Sequence, residues 1–200
     1  MSKKIGISRI YYSILTSTPL QGRPCLFIEI ADEAYTKTKK MSLKKIEKVI
    51  DKKCASHLIA VVGQNLSVPT MYGELGAMIV RKGFNGIFFT NGKEDTVASK
   101  FPFAPKQLFI CVNVVEGLTK KSIDVDTNKY MDMCLYRISS ITKAGKDGLP
   151  RGLYRPDNLM KIMICPSNNR NEEAVKATTD LCLQFGYYMT YKYTDHIGVE

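Results

Sequence analysis

The side chains best suited to chemistry stand just after short apolar runs. Gln64, Asn65 and Ser67 follow the run His57 to Val62, and Asn91, Lys93, Glu94 and Asp95 follow Phe84 to Thr90. In an α/β protein, loops after the carboxyl ends of strands are where ligands bind. The competing reading is an ordinary polar surface loop. His57 opens an apolar run and His196 lies in the tail, neither spaced to pair with a cysteine or carboxylate, so both read as structural. Six cysteines, at 25, 54, 111, 134, 165 and 182, contain no CxxC pair, which argues against a zinc site, haem attachment or a disulfide framework. No P-loop, GxGxxG, GxSxG or HExxH occurs.

A second chemistry is electrostatic. Lys44, Lys45, Lys48, Lys52 and Lys53 surround the apolar positions Leu43, Ile46, Val49, Ile50 and Cys54, the pattern of a basic amphipathic helix capped by Ser42. These lysines suit a nucleic-acid backbone or an acidic partner, or form a solvated face over a core stripe. Residues 1–53 hold twelve Lys and Arg against five acids, most of a chain-wide formal charge of +10. Tyr187, Tyr188, Tyr191 and Tyr193 could stack on bases, but no basic, glycine-rich RNA-binding framework surrounds them, so a strand with alternating aromatics is the simpler reading.

The elements that position these residues follow from periodicity. Ile5 to Leu15 has near-helical spacing, so a short helix is expected there. Cys25 to Ile30 reads as a strand, 57–62 as a central strand of a parallel sheet, and Pro69 to Lys82 as a helix stopped by Gly83. Strands are expected at 84–90 and 107–115. The expected architecture is α/β: a layered βαβαβ domain over 1–126, then a smaller mixed α/β module over 127–200. In that module a helix is expected over 128–141, a loop over 145–152, a strand over 159–165, a helix from Asn171 to Gly186 and a closing strand over 187–193.

With 44% apolar residues in 200, the chain can build a substantial core, which excludes disorder and fibrous repeats. No eighteen-residue uncharged apolar segment occurs, so no membrane partner is expected, and the reading is an intracellular protein of cytoplasm or nucleus with reduced thiols.

Two resemblances bear on function. His57 to Ser67, with Leu108 to Glu116, resembles the N-terminal jaw domain of the fifth common subunit of eukaryotic-type RNA polymerases. Leu149-Pro150-Arg151, the strand ending in Pro166-Ser167, and Gly186 to Lys192 are similar to that family's assembly module, although Cys165 stands where the family has arginine. The resemblance implies a non-catalytic transcription subunit, in a divergent viral or plasmid form, without a cofactor. Its partners would be larger polymerase subunits, met through Leu149, Pro150, Arg151, Pro166, Ser167, Tyr188 and Tyr191, with the five lysines near nucleic acid or acidic partner surfaces. Separately, Tyr72 to Met78 and Arg81 to Gly92 resemble the family of ribonuclease regulator A and the divalent-metal aldolases. That resemblance implies a metal-dependent lyase-like or regulatory domain holding Mg or Mn through Glu94 and Asp95. Lys93 would stand in for the family's arginine, a substitution that loses bidentate geometry.

Overall fold

The protein is described by a computed structural model covering residues 4–15, 22–30, 39–53, 56–62, 69–90, 107–114, 131–138, 145–156, 162–166 and 171–190. Its elements are β1 (Lys4–Ile14), β2 (Pro24–Ile30), β3 (Lys39–Ser42), α1 (Leu43–Lys53), β4 (Leu58–Val62), α2 (Pro69–Arg81), β5 (Asn85–Thr90), β6 (Leu108–Val114), β7 (Met133–Ile138), β8 (Ile162–Pro166), α3 (Glu172–Phe185) and β9 (Tyr188–Met189). The α/β architecture matches the sequence expectation. All nine strands join one sheet in the order β3-β1-β2-β4-β5-β6-β7-β8-β9. From β2 to β9 every pairing is parallel, and only β1 runs against its neighbours. β6 and β7, one on each side of residue 126, pair directly with Cys111 opposite Met133 and Val114 opposite Tyr136.

Apart from the short edge strand β3, which the sequence reading did not anticipate, two elements differ from the sequence expectation. Residues 4–14 form a strand rather than a helix, and the cause is a bulge. Ile7 pairs with Ile30 and Arg9 with Glu29, so one extra residue, Ser8, is inserted on β1. Ile5 and Ile7 pack in the core on the helix-covered face and Ile10 packs against the same cluster, giving apolar positions 5, 7 and 10 instead of 5, 7 and 9. That slip breaks the period-two alternation and imitates helical spacing. The second difference is β7, where a helix was expected. Cys134 and Tyr136 are buried on one face and Met133 and Leu135 on the other, so the run carries no alternation.

The core has two sides. On one, α1 and α2 bury Ile46, Ile50, Leu75, Met78 and Ile79 against Leu26, Ile28, Ile59, Val61 and Phe88. Farther along the same face, Leu181 of α3 packs with Ile110, Val112, Cys134, Tyr136, Ile162 and Ile164. The opposite face carries Cys25, Phe27, Ala60, Ile87, Phe89, Cys111, Met133, Leu135, Met163 and Cys165 as a third cluster, against which no described helix packs. α3 is well delimited. Asn171 accepts a hydrogen bond from the Ala174 amide, Glu172 and Glu173 sit at the positive end of the dipole, and Gly186 ends the helix at φ 70°.

The loop before β8 is fixed by an ion pair. Arg155 Nε donates to Asp147 Oδ2 at 2.6 Å, and other guanidinium nitrogens donate to the Leu153 and Leu149 carbonyls. Asp147 also accepts from the Leu149 amide, while its carbonyl accepts from Tyr187 Oη. Gly148, at φ 74°, lets the loop lie on α3, since a Cβ there would stand 2.3 Å from Leu181 Cδ2. The Arg155 hydrogen bond, reinforced by its charge, holds the Asp147 carboxyl below the usual carboxylate range against the opposing effect of burial. A lowered folded pKa contributes stability above the unfolded value of about 4 that is lost as pH falls through the folded value. Asp147→Asn should therefore cost roughly 1–2 kcal/mol near pH 7, with the difference from the unmutated protein shrinking below about pH 4. Urea unfolding at several pH values measures it.

Candidate functional site

The direction of the sheet decides where a site can form. Seven strands, β2 and β4 to β9, are parallel and advance across the sheet in chain order. Right-handed crossovers taken repeatedly in one direction put the connections on one face, as in a (β/α) barrel, and leave the other face to close on itself. The described helices obey this rule: α1, α2 and α3 all pack on the same face. The chain then leaves the sheet at one common edge, after Ile30, Val62, Thr90, Val114, Ile138, Pro166 and Met189. That carboxyl edge, beside the helix-free face, is the candidate site.

Two polar residues at this edge escaped the sequence reading. Asn113 pairs in register with Leu135, and Arg137 with Cys165, near the ends of β6 and β7. The available signal was a polar residue interrupting an apolar strand just before its carboxyl end. For Arg137 the signal was hidden because the segment was read as helical.

The buried centre of the helix-free face is apolar, and the Arg9–Glu29 ion pair lies at its β1–β2 side. Its core residues are Phe, Leu, Ile, Met, Ala and Cys, and Cys25, Cys111 and Cys165 are all fully or almost fully buried. Burial pushes the Cys111 thiol far above its ordinary range, with Cys134 and Asp132 adding in the same direction. A thiol held neutral in this way is a small hydrophobe rather than a nucleophile.

A groove of about 500 Å³ lies at the other edge, lined by Arg23, Ser56, His57, Asn85, Gln107 and Phe109 among others. It sits at the amino ends of β2, β4, β5 and β6. Much of its backbone polarity is consumed internally: the Asn85 amide donates to the His57 carbonyl, the Gly86 amide to the Gln107 carbonyl, and the Leu58 amide to Ser56 Oγ. The amino-terminal face of such a sheet is the stability face.

The residues singled out from the sequence fall in several places. Lys44, Lys45, Lys48, Lys52 and Lys53 are all exposed on α1, remote from the helix-free face. Leu149 is fully buried in the core beneath α3, and Pro166 is buried at the end of β8, so both serve the chain's own packing. Arg151 and Tyr188 are exposed, while Pro150 is half-buried. Gln64, Asn65, Ser67, Asn91, Lys93, Glu94, Asp95, Ser167, Tyr191 and His196 lie outside the described residues. Among the described residues no three His, Cys, Asp or Glu side chains form a group able to hold a metal ion. No described helix is long and apolar enough to cross a membrane.

No family model matches the chain, and comparison with curated proteins finds no match. Among solved structures, QueE from Escherichia coli superposes with a TM-score of 0.68 over 94% of each chain, at 10% sequence identity. The fold is shared with QueE. This chain-long likeness overturns the reading as a divergent RNA polymerase subunit, and with it the transcription and viral expectations. It equally displaces the kinship inferred from the ribonuclease regulator A segment. The motifs failed for a physical reason. An apolar strand ending in a polar turn is what any parallel α/β sheet requires, and Leu149-Pro150-Arg151 belongs to a loop shaped by the Asp147–Arg155 pair.

Because Cys25, Cys111, Cys134 and Cys165 are all buried, a brief maleimide pulse under native conditions should leave them unlabelled, and denaturant should open all four. Peptide mapping reads the outcome; rapid native labelling of Cys111 or Cys165 would contradict the burial.

Proposed function

We propose that the chain is a divalent-metal-dependent enzyme of the lyase type, acting on a small organic substrate at the carboxyl edge of the sheet, with Glu94 and Asp95 as metal ligands. The observation that carries this reading is the position of β5. It lies inside the parallel sheet, flanked by β4 and β6, and it ends at Thr90 on the carboxyl edge. Glu94 is only four residues farther on, so the chain cannot carry it more than about 14 Å from that edge. Two adjacent carboxylates suit a hard cation such as Mg or Mn. When bound, such an ion would polarise a substrate carbonyl. The protein's share is to hold the cation through Glu94 and Asp95 and to supply positive charge from Lys93. The QueE fold, found in an enzyme, supports this reading over that of a structural subunit.

QueE is a radical SAM enzyme that uses an iron–sulfur cluster, and the thiols of this chain do not fit that group. Iron–sulfur clusters are held by several cysteine thiolates converging on one point. No two of the six cysteines are closer than 17 residues in sequence, at Cys165 and Cys182. On the helix-free face, Cys25 of β2 and Cys111 of β6 are three strand intervals apart, about 14 Å. Cys111 and Cys165 are two intervals apart, about 10 Å. Cys134 lies on the opposite face and Cys182 on α3. Only Cys54 stands outside the described residues, too few to complete a set. The proposed chemistry therefore takes no step through a cluster.

Two measurements test these statements. Calorimetry with Mn(II) should show one site per chain, weakened at least tenfold by Glu94→Gln or Asp95→Asn; failure of the unmutated protein to bind Mn(II) or Mg(II) ends the metal reading. Anaerobic reconstitution with iron and sulfide, followed by desalting, should leave no stoichiometric iron and no cluster absorption band, whereas three or four tightly held irons per chain would overturn the ligand argument.

A further inference from the structure

We propose that the outer face of α1, continued by the start of the edge strand β3, is a sequence-independent docking surface for duplex nucleic acid. The five lysines of α1 are all exposed. At 100° per residue, Lys44, Lys48 and Lys52 fall within an arc of about 80° and form a row about 12 Å long, with Lys45 alongside. Ile46 and Ile50 are fully buried on the opposite side and fix the helix in this orientation.

The two carboxylates of α1 itself are committed elsewhere. Lys82 Nζ, following α2, lies 3.3 Å from Glu47 and 2.9 Å from Asp51, and Arg81 lies 3.7 Å from Glu47. Both acids of α1 are thus drawn toward α2. The sheet adds to the surface: exposed Lys39 lies two residues before Met41, which packs in the same cluster as Ile46 and Ile50, so Lys39 shares the face that α1 covers.

The chemistry of the surface selects the partner. A protein interface has an apolar centre with aromatic or arginine anchors and is depleted in lysine, and the outer face of α1 offers lysine alone. A membrane surface helix must bury its apolar side in lipid, but that side of α1 is already packed in the core. Single-stranded nucleic acid is usually held by stacking on aromatic rings, and α1 contains none. A regular array of phosphates needs only point charges, without base readout.

The test is fluorescence anisotropy of the full chain with a labelled mixed-sequence duplex of about 20 base pairs, between about 50 and 200 mM salt. Log affinity should fall linearly with log salt. The Lys44→Glu/Lys48→Glu/Lys52→Glu variant should bind at least tenfold more weakly at about 100 mM salt, with a slope shallower by about 3, since each phosphate contact contributes about 0.9. The corresponding triple Gln variant should weaken binding less, while Lys146→Glu, an exposed control in the loop before β8, should stay within about twofold. Circular dichroism confirms folding of each variant. Unchanged affinity and slope in both folded triple variants would overturn the proposal, as would absence of duplex binding at low salt or a preference for anionic vesicles over duplex. Metal binding at Glu94 and Asp95 is indifferent to all of these outcomes.

Discussion

A parallel strand reaches its neighbour only through a crossover, and right-handed crossovers made in one direction across a sheet gather the connections on a single face. That constraint shapes this molecule. The parallel strands β2 and β4 to β9 follow chain order across the sheet, while β3 lies on the other side of β2, beyond β1, so from β4 onward the described strands all advance in one direction rather than diverging as in doubly wound folds. The exits are all at one edge. The consequences are a helix-covered face, a helix-free face, and one rim where segments from many strands come together.

The two faces are built differently because they solve different problems. The helix-covered face is filled by Ile, Leu and Val interlocked with α1, α2 and α3. The helix-free face uses Met133, Met163, Cys111, Cys165 and Ala60 beside larger Phe and Ile side chains. Small and pliable residues let side chains of neighbouring strands fit together on one face without overpacking. Three cysteines on that face are therefore explained by packing: all are buried, desolvation pushes the Cys111 thiol up, and the strand spacing keeps them apart. Kinship of fold with an enzyme that uses a cluster does not bring the cluster's ligands with it.

Charge and site are separated in space. The lysines of α1 lie on the outside of the helix layer, whereas β4 and β5 end at the rim of the sheet. Glu47 and Asp51 link α1 to the end of α2 through Arg81 and Lys82, with the Asp51 hydrogen bond raising the pKa of Lys82. These acids knit the helix layer together and leave the outer lysines without counter-charges of their own helix. Tyr12 contributes at the other end of α1, where its hydroxyl donates to the Lys53 carbonyl and satisfies one of the groups a helix terminus leaves unpaired.

The sequence by itself determined those elements whose signals are local. α1, α2 and α3, with Asn171 and Gly186 at the ends of the last, and the strands β2, β4, β5 and β6, all follow from residue periodicity, turn residues and caps. So did the parallel α/β class. β1 was not legible because its bulge shifts Ile10 out of step with Ile5 and Ile7, and a bulge exists only against a partner strand. β7 was not legible because burial on both faces erases alternation. Of the candidate site, the polar residues after β4 and β5 were legible as loops following strands, but Asn113 and Arg137 were not. Strand order alone places them at the common rim, and strand order depends on contacts between residues far apart in the chain. Short apolar runs ending in polar turns recur across unrelated parallel sheets, so they could suggest a family but could not decide one. That choice needed the direction and sequence of all the crossovers together, which only the tertiary structure contains.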